Sequence, residues 1–352
     1  MDRIDIAQTV PLRPDEVRRP IAQFAESSTL LGLVVFATAF AAHLLTIGLA
    51  LQVDDLLLKA MLGVLGGFSI GVLFVVGHDC AHGNLVRSKK VNRFLAMMAF
   101  LPSLHPVCSW ELGHNKLHHG WTNLRGKDDV YAPLSVQEYE ALTPGNRLLH
   151  RLYRSVGGFG FYYLIDVWLR AQILCRPQAY VDMDRRQKGV DFAAVAVWLG
   201  LWIGACIVGN SVSVGLWNLT LCLVMPFVVW NYVMTFVTFQ QHTHPDVRWF
   251  DRRDEWSFFD AQVANTVHVR LPSVIDWVFG RIFQHTAHHV HKGIPMYRLM
   301  EAQRAIEAEY PLCKIVDFSV VNFFAVLGTC KLYDYRRQQW VPFSREKSTN
   351  ST

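Results

Sequence analysis

Four long apolar stretches constrain the fold of this chain more than any other feature of its sequence. Each has 18 residues or more, enough for a helix rising about 1.5 Å per residue to cross most or all of a bilayer core. The composition agrees, because 51% of the residues are hydrophobic and only 18% are charged. We therefore predict four transmembrane helices, at residues 30–51, 56–76, 192–209 and 213–239.

The segments around these stretches indicate two helical hairpins and their orientation. The turns at 54–55 and 210–212 contain no Lys or Arg, whereas 4 basic residues lie in an arm at 1–28, 15 between the hairpins and 14 after the last span. Cytoplasmic loops carry the excess of basic residues, so both termini are predicted to be cytoplasmic. Lys59, the one basic residue inside a span, is expected to extend from near the helix end to the membrane interface.

The rest of the chain is predicted to form a cytoplasmic cap. Apolar pieces at 94–104, 162–174 and 320–330 are too short to cross a membrane and are interpreted as interfacial or cap helices. Seven cysteines without a CxxC pair fit reduced thiols, and a formal net charge of +5 is too small to indicate nucleic acid. The predicted fold class is an all-α integral membrane protein with a single domain over residues 1–352.

Eight of the fifteen histidines fall in three clusters near predicted helix ends. The first cluster has spacing i, i+4, the second adds an adjacent histidine to an i, i+4 pair, and the third has spacing i, i+3, i+4. On the predicted topology all three lie on one side of the membrane, where imidazoles at this spacing favour a transition-metal site. The eight residues are His78, His82, His114, His118, His119, His285, His288 and His289.

The number and type of these residues limit the kind of metal site. Eight ligands are too many for one ion, so we predict two metals that share the set. A soluble di-iron bundle would use two ExxH motifs, but ExxH occurs once, at Glu111 and His114, and the HExxH of metalloproteases is absent. Iron with open coordination positions can activate O₂ and attack an unactivated C–H bond, chemistry that side chains alone cannot perform.

The three clusters read HDCAH, HNKLHH and HTAHH, and this set resembles the histidine boxes of the membrane fatty acid desaturases. Three further pieces are similar to that family, and the last two of them resemble its acyl-lipid Δ12/ω-6 branch more than its acyl-CoA branch. They are Trp121-Thr122-Asn123, Gln241-His242-Thr243-His244-Pro245 and Ile294-Pro295-Met296-Tyr297.

The resemblance implies an O₂-dependent desaturation of a fatty acyl chain, lipid-linked by the branch, at a non-haem di-iron centre. It implies that the eight box histidines bind the two irons. The implied partners are a fatty acyl lipid, the lipid bilayer and an electron donor of the ferredoxin or cytochrome b5 type, without nucleic acid. The expected location is a multi-pass protein of the bacterial inner membrane.

A ninth ligand is expected where the fourth span ends. His242 and His244 are two residues apart and point to different sides of a helix, so both are not expected to reach the metals. We favour His242, because the resembling motif has a histidine there and His244 precedes Pro245, where the helix should end. His268, from the following loop, is a weaker candidate.

Two other functions remain open on the sequence. Ligand spacing does not separate a desaturase from a di-iron hydroxylase or ketolase acting on an alkane, a carotenoid or another lipid. A metal transporter is disfavoured, because such a protein places ionisable residues at mid-membrane depth, and the predicted spans have only His43 near a centre.

Overall fold

A computed structural model describes residues 12–176 and 183–343. In this part of the chain four helices are long and apolar enough to cross a membrane, as predicted. They extend beyond the apolar stretches, because a helix can continue after its hydrophobic residues end. The spans are Thr29–Gln52, Leu56–His82, Arg185–Ile207 and Val212–His242.

The extended ends of two spans carry histidines of interest. The second span continues to His82 and stops at Gly83, which adopts the left-handed conformation (φ 76°) that favours glycine at a helix C-terminus. The fourth span continues to His242, and Thr243 is already extended. His78, His82 and His242 are therefore placed by transmembrane helices rather than by loops.

The second span lies at the centre of the bundle. In its most apolar window 56% of the residues are buried, against 11–28% in the other spans. Gly63 and Gly67 allow the fourth span to approach closely: a Cβ atom at Gly63 would lie 2.2 Å from the Leu221 carbonyl, and one at Gly67 2.5 Å from the Val229 Cβ. Small residues one helical turn apart therefore set the distance between these two helices.

The expectation that Lys59 extends to the membrane interface is wrong. Its side chain is buried, and its ammonium donates a short hydrogen bond to the Asn218 side chain in the fourth span. Asn218 in turn donates to the carbonyl of Cys206 in the third span (3.3 Å). A buried ammonium needs a hydrogen-bond acceptor, and this chain of polar contacts joins three spans near their turns.

Shorter helices surround one end of the bundle. The three predicted short apolar helices are present, at Lys89–Phe100, Gly160–Tyr162 continuing as Tyr163–Ile173, and Val320–Thr329. Within residues 12–176 and 183–343, four segments are π-helical: Glu111–His118, Tyr163–Ile173, Leu219–Val224 and Asp260–Ala264. The other helices are Pro14–Arg18, Arg19–Ala25, Val107–Trp110, His119–Trp121, Val136–Ala141, Pro144–Tyr153, Arg253–Glu255, Ser273–Val278, His285–Val290, Met296–Arg298 and Leu299–Glu309.

The fold is mostly helical, but the all-α prediction missed two small sheets. β1 (Val267–Arg270) pairs in parallel with β2 (Lys314–Asp317), and β3 (Leu332–Asp334) pairs antiparallel with β4 (Gln339–Val341). Strands of three or four residues have too short an alternation of apolar and polar side chains to be recognised in a sequence. His268 lies in β1, which removes it from the loop where it was expected.

Candidate metal centre

The end of the second span presents the first histidine cluster to the interior. His78 and His82 are one α-helical turn apart, and their ring centroids are 4.5 Å from each other. Trp110 packs against both rings, at 5.4 Å from His78 and 5.8 Å from His82. The two imidazoles are therefore held on one face by the helix and by an aromatic neighbour.

The second cluster lies on a π-helical segment, and this changes which of its histidines act together. The His119 N–H donates to the His114 carbonyl five residues earlier, so these two residues face each other across one π-helical turn. Their Nε2 atoms are 3.1 Å apart. His118 turns to a different group of rings, and the predicted i, i+4 pair of His114 and His118 is therefore divided.

The third cluster is divided in the same way by a short α-helix. His285 and His289 are one turn apart, with ring centroids at 4.3 Å, and they point to one side. His288 points to the other side, where its Nε2 lies 3.0 Å from that of His119. One helical turn thus contributes imidazoles to two neighbouring sites.

The histidines from the spans, the π-helix and the third cluster form two groups. In each group one ligand atom per residue lies within 4.8 Å of all the others. We call them group one, with five residues, and group two, with four. Group one is His78, His82, His114, His119 and His288, and group two is His118, His242, His285 and His289.

His242 belongs to group two, and the alternative ninth ligands lie elsewhere. The His242 Nε2 is 2.8 Å from the His285 Nε2, and the residue is 1% exposed. His244 is partly exposed and faces Asp246 (3.4 Å). His268 bonds through Nδ1 to Glu307 (2.5 Å). The structure therefore brings together the eight box histidines and His242, and leaves His244 and His268 outside both groups.

The environment of the rings fits metal ligation. Neither ring nitrogen of His82 has a hydrogen-bond partner, although the residue belongs to group one, as expected where one nitrogen gives its lone pair to a metal cation. Burial and repulsion from neighbouring histidines lower the pKa of five histidines in the second and third clusters. Neutral imidazole is the form that binds a metal. These five are His114, His119, His285, His288 and His289.

Two polar residues that the sequence analysis did not identify orient group two. The His118 Nδ1 lies 2.9 Å from a carboxylate oxygen of Asp128, and the His289 Nδ1 lies 2.7 Å from Oε1 of Gln262. Because both oxygens accept hydrogen bonds, each Nδ1 carries the proton and each Nε2 is left free toward the group. Asp128 comes soon after the second box, but no spacing rule marks Gln262.

Gln262 also contacts group one. Its side-chain amide donates to the carbonyl of His119 (2.9 Å), and its Oε1 accepts from the Thr122 hydroxyl (3.0 Å). The residue is fully buried. The amide is therefore held in one orientation, between the backbone of one group and the imidazole of the other.

A narrow cavity of about 70 Å³ reaches both groups. His78 and His114 of group one and His118, His242 and His285 of group two line it. The remaining wall is mostly apolar or aromatic, which suits a hydrocarbon chain better than a polar substrate. It includes Phe74, Trp110, Val130, Tyr162, Tyr163, Val167, Met234, Val237 and Ile282.

Asp129 is the acidic residue in the cavity wall. Burial, and then the neighbouring Asp128, raise the pKa of its carboxyl to about 6. Asp128 itself is occupied by His118 and by the backbone N–H groups of Asn123 (2.8 Å) and Val130 (3.0 Å). The two adjacent carboxyls therefore have different roles, one in orienting an imidazole and one in the cavity wall.

Comparison with known proteins gives one consistent result. The sequence model of the family described as Fatty acid desaturase matches residues 56–318, about three quarters of the chain. The match begins at the second span and ends at β2.

Several curated proteins are similar over most of their length. An sn-1 oleoyl-lipid 12-desaturase of a Picosynechococcus species is 29% identical over 271 residues, covering 77% of this chain and 75% of the relative. A fatty acid desaturase of Bacillus subtilis is 26% identical over 344 residues, covering 96% and 92%. A chloroplastic omega-6 fatty acid desaturase of Arabidopsis thaliana is 27% identical over 282 residues, covering 79% and 60%.

Proposed function

The chain belongs to the fatty acid desaturase family, and from that premise we propose that it introduces a double bond into a lipid-linked fatty acyl chain at two irons held by the nine grouped histidines. As a member of this family it is an enzyme, an oxidoreductase. The family match confirms the resemblance that the histidine boxes indicated. The observation that carries the proposal is a mostly apolar cavity whose wall contains imidazoles of both groups.

Two irons bound by these imidazoles would supply the activation of O₂ and the removal of hydrogen from adjacent methylenes, which side chains alone cannot supply. The protein would hold the acyl chain in the cavity that reaches both histidine groups. Two neighbouring carbons of the chain would then lie near group one and group two at once. Its apolar wall keeps bulk water from the reacting carbons. Aromatic packing of Phe74 with Phe100 (4.7 Å) and Trp230 (5.4 Å) keeps that wall rigid.

Named relatives support an intact lipid as the substrate. The Picosynechococcus relative is named for oleoyl-lipid, and we propose the same class of substrate for this chain. The test is the fatty acid composition of whole-cell lipids with and without the expressed gene. A new double bond in the acyl chains supports the proposal. A hydroxylated or ketonic product would instead establish the oxygenase alternative.

We propose that all nine grouped histidines are iron ligands, with His242 as the ninth. His242→Ala and His244→Ala, made side by side, test this assignment by iron content and product yield. His242→Ala is expected to lose iron and product, whereas His244→Ala retains both, because His244 lies outside the groups. Equal loss in both variants, or loss in His244→Ala alone, contradicts the assignment. His118→Ala should abolish turnover while the protein still inserts.

The membrane placement follows from charge. We propose two helical hairpins with both termini and the helical cap on the cytoplasmic side of a bacterial inner membrane. The observed turns at 53–55 and 208–211 contain no Lys or Arg. The histidine groups lie at the ends of the second and fourth spans that are far from these turns. Fusion of a reporter active only in the cytoplasm to each terminus tests this orientation.

A further inference from the structure

A second cavity lies directly behind the wall of the first. This outer cleft has a volume of about 520 Å³, and it shares three wall residues with the inner cavity that reaches the histidines: Asp129, Tyr162 and Val167. The partition between the two spaces is therefore one side chain thick. A chain that passed through it would reach both histidine groups.

The partition has one fixed and one small side chain. The Tyr162 hydroxyl donates a short hydrogen bond to the Asp129 carbonyl and accepts one from the Tyr131 N–H (2.8 Å), which holds the ring in place. Val167, by contrast, has no polar contact and fills little space. The opening between cleft and inner cavity is therefore expected at Val167, with Tyr162 as its fixed side.

A buried imidazole nitrogen in the outer cleft lacks a partner. The Nε2 of His150 is buried without a hydrogen bond, in a residue that is 9% exposed, whereas the buried Tyr153 hydroxyl interacts with the Asp166 carboxylate. A nitrogen such as the His150 Nε2 is costly to bury unless a ligand or water satisfies it. His150 lies on the helix Pro144–Tyr153, which contributes one wall of the cleft.

The charges of the outer cleft favour a polar or anionic head group. Among the described residues Arg154 has no carboxylate within ion-pair distance; its guanidinium donates to the carbonyls of Tyr131 (3.0 Å), Ala132 and Cys330. Lys127 is exposed on the rim. The acids there are already occupied or buried: Asp128 bonds His118, Asp166 pairs with Arg170 (2.5 Å), and Asp129 lies in the partition.

The mouth of the outer cleft is bordered by exposed leucines. On the helix Pro144–Tyr153, Asn146, Leu149, His150 and Tyr153 line the cleft, while Leu148 is 70% exposed and Leu152 is 38% exposed. The opposite wall, Tyr163–Ile173, exposes Leu169. In a membrane protein, apolar side chains on such helices lie in the bilayer interface. Apolar side chains beside the cleft therefore suit contact with lipid, while Lys127 lies exposed on its rim.

We propose that the outer cleft binds the head group of a membrane glycerolipid, whose acyl chain enters the inner cavity past Val167. This inference rests on the proposed function and adds the route and the source of the substrate. Lys127 and Arg154 would face the head group, and the Nε2 of His150 would accept a hydrogen bond from a hydroxyl of that head group.

Photocrosslinking of the full-length enzyme tests this route. Benzoylphenylalanine is placed at Leu149, inside the cleft, or at the adjacent Leu148, which faces the bilayer. Each protein is reconstituted in vesicles of dioleoyl- and dipalmitoyl-phosphatidylglycerol, whose anionic head group carries hydroxyls, and the adducts are identified by mass spectrometry. Adducts at 149 are expected to be enriched in the oleoyl lipid, whereas adducts at 148 should follow the vesicle composition.

A third protein carries Val167→Trp together with the probe at 149. The larger ring should close the opening, so that the enrichment at 149 and the lipid turnover are lost while iron content is unchanged. Equal composition of adducts at 148 and 149, or full turnover in Val167→Trp, would overturn the proposal. If enrichment is seen at 149 but the enzyme makes no desaturated lipid, the proposed function fails and the lipid site stands.

Discussion

Each imidazole of the two groups offers one nitrogen to its group, and the second nitrogen distinguishes the ligands from one another. In group two, His118 and His289 have hydrogen-bond partners at Nδ1, whereas the Nδ1 atoms of His242 and His285 are buried without one. Fixed ligands keep their tautomer and orientation before metal binds. Gln262 and Asp128 are therefore expected to decide how firmly group two holds its ion.

Replacing Gln262 by Leu should weaken metal binding at group two. The change removes the acceptor for the His289 Nδ1 and the donor to the His119 carbonyl, and loss of such a partner typically costs about 10- to 100-fold in metal affinity. The measurement is iron per chain after a timed exposure to chelator. We expect Gln262→Leu to retain about half the iron of the wild type, whereas Gln262→Glu, which still accepts from His289, retains more.

Gln303→Leu is the matched control for this prediction. Gln303 is equally buried and supports the same third-box helix, but through the Ala287 N–H (2.8 Å) rather than through an imidazole. If Gln303→Leu lost as much iron as Gln262→Leu, general loosening of the helix would explain the result. Retention of iron in the control assigns the effect to the orientation of His289.

Asp129 should make stability depend on pH. Its folded-state pKa of about 6 lies above the ordinary value of 3.8, so folding disfavours the ionised form. Stability contributed by the neutral carboxyl is present below about pH 4, falls as pH rises to about 6, and is absent above that. A difference of about two pH units corresponds to about 3 kcal/mol at most.

Asp129→Asn is therefore expected to raise the thermal unfolding midpoint relative to wild type at pH 8 and to have little effect at pH 4.5. The exposed carboxylate of Asp254, changed to Asn, serves as the control, because it pairs with Arg252 at the surface. The measurement is tryptophan fluorescence during heating in detergent. A difference between variant and wild type that stayed constant with pH would contradict the assigned pKa.

At the scale of elements, two helices decide where the histidines lie. The second and fourth spans carry His78, His82 and His242, and they approach closely where Gly63 and Gly67 face the fourth span. The π-helical second box then separates His118 from His114 and His119. Helix geometry, more than loop conformation, therefore distributes nine imidazoles over two groups.

Gly63→Val should disturb the contact between these spans. A Cβ atom at Gly63 would lie 2.2 Å from the Leu221 carbonyl, a backbone atom that cannot move unless the fourth span moves with it. Overpacking of this kind costs about 1–3 kcal/mol. We expect a lower unfolding midpoint and less bound iron, because the fourth span positions His242.

Gly48→Val in the first span is the comparison variant. A Cβ atom there meets nothing within 4 Å, so the same change in a membrane helix should leave midpoint and iron content near wild type. Should both variants lose stability equally, the helix propensity of valine and not the close approach would be responsible.

At the scale of the whole molecule, we expect the chain to receive its electrons from another protein. Gly157-Gly158-Phe159-Gly160 lacks the GxGxxG spacing and lies in a turn before a helix, not after a strand, so no dinucleotide-binding fold forms there. We expect a ferredoxin or a cytochrome b5-type protein to deliver two electrons per double bond. Basic residues predominate outside the turns at 53–55 and 208–211, which favours an acidic carrier.

Purified enzyme in vesicles should therefore be inactive with NADH or NADPH alone and active when a reduced carrier is added. The KM for the carrier should rise with ionic strength, since screening weakens charge-guided association. Lipid binding, which depends mainly on apolar contacts, should change little over the same range of salt. Turnover with NADPH alone, or a KM independent of salt, contradicts this prediction.

Composition and local pattern were enough to predict the broad fold and that the box histidines lie together. Continuous apolar stretches predict four spans because a bilayer admits few other structures, and three spaced histidine clusters predict a shared metal site because so many imidazoles are rarely placed together by chance. The preference for His242 over His244 rested on the resemblance of the Gln241-His242-Thr243 motif and on Pro245, and the structure groups His242 with three box histidines. The span ends, the two small sheets and the position of Lys59 did not follow.

Only the tertiary structure decided which residues that are distant in sequence contact each other and share a site. Spacing cannot tell that His288 joins His78 while His289 joins His118, because that depends on where three helices cross. Nor can it identify Gln262, 27 residues before His289 yet bonded to it, or the partition at Val167 between two cavities. The local pattern of a sequence reflects which face of one helix is apolar and which faces solvent. Hydrogen-bond partners and cavities arise instead from packing between elements, for which the sequence has no regular spacing.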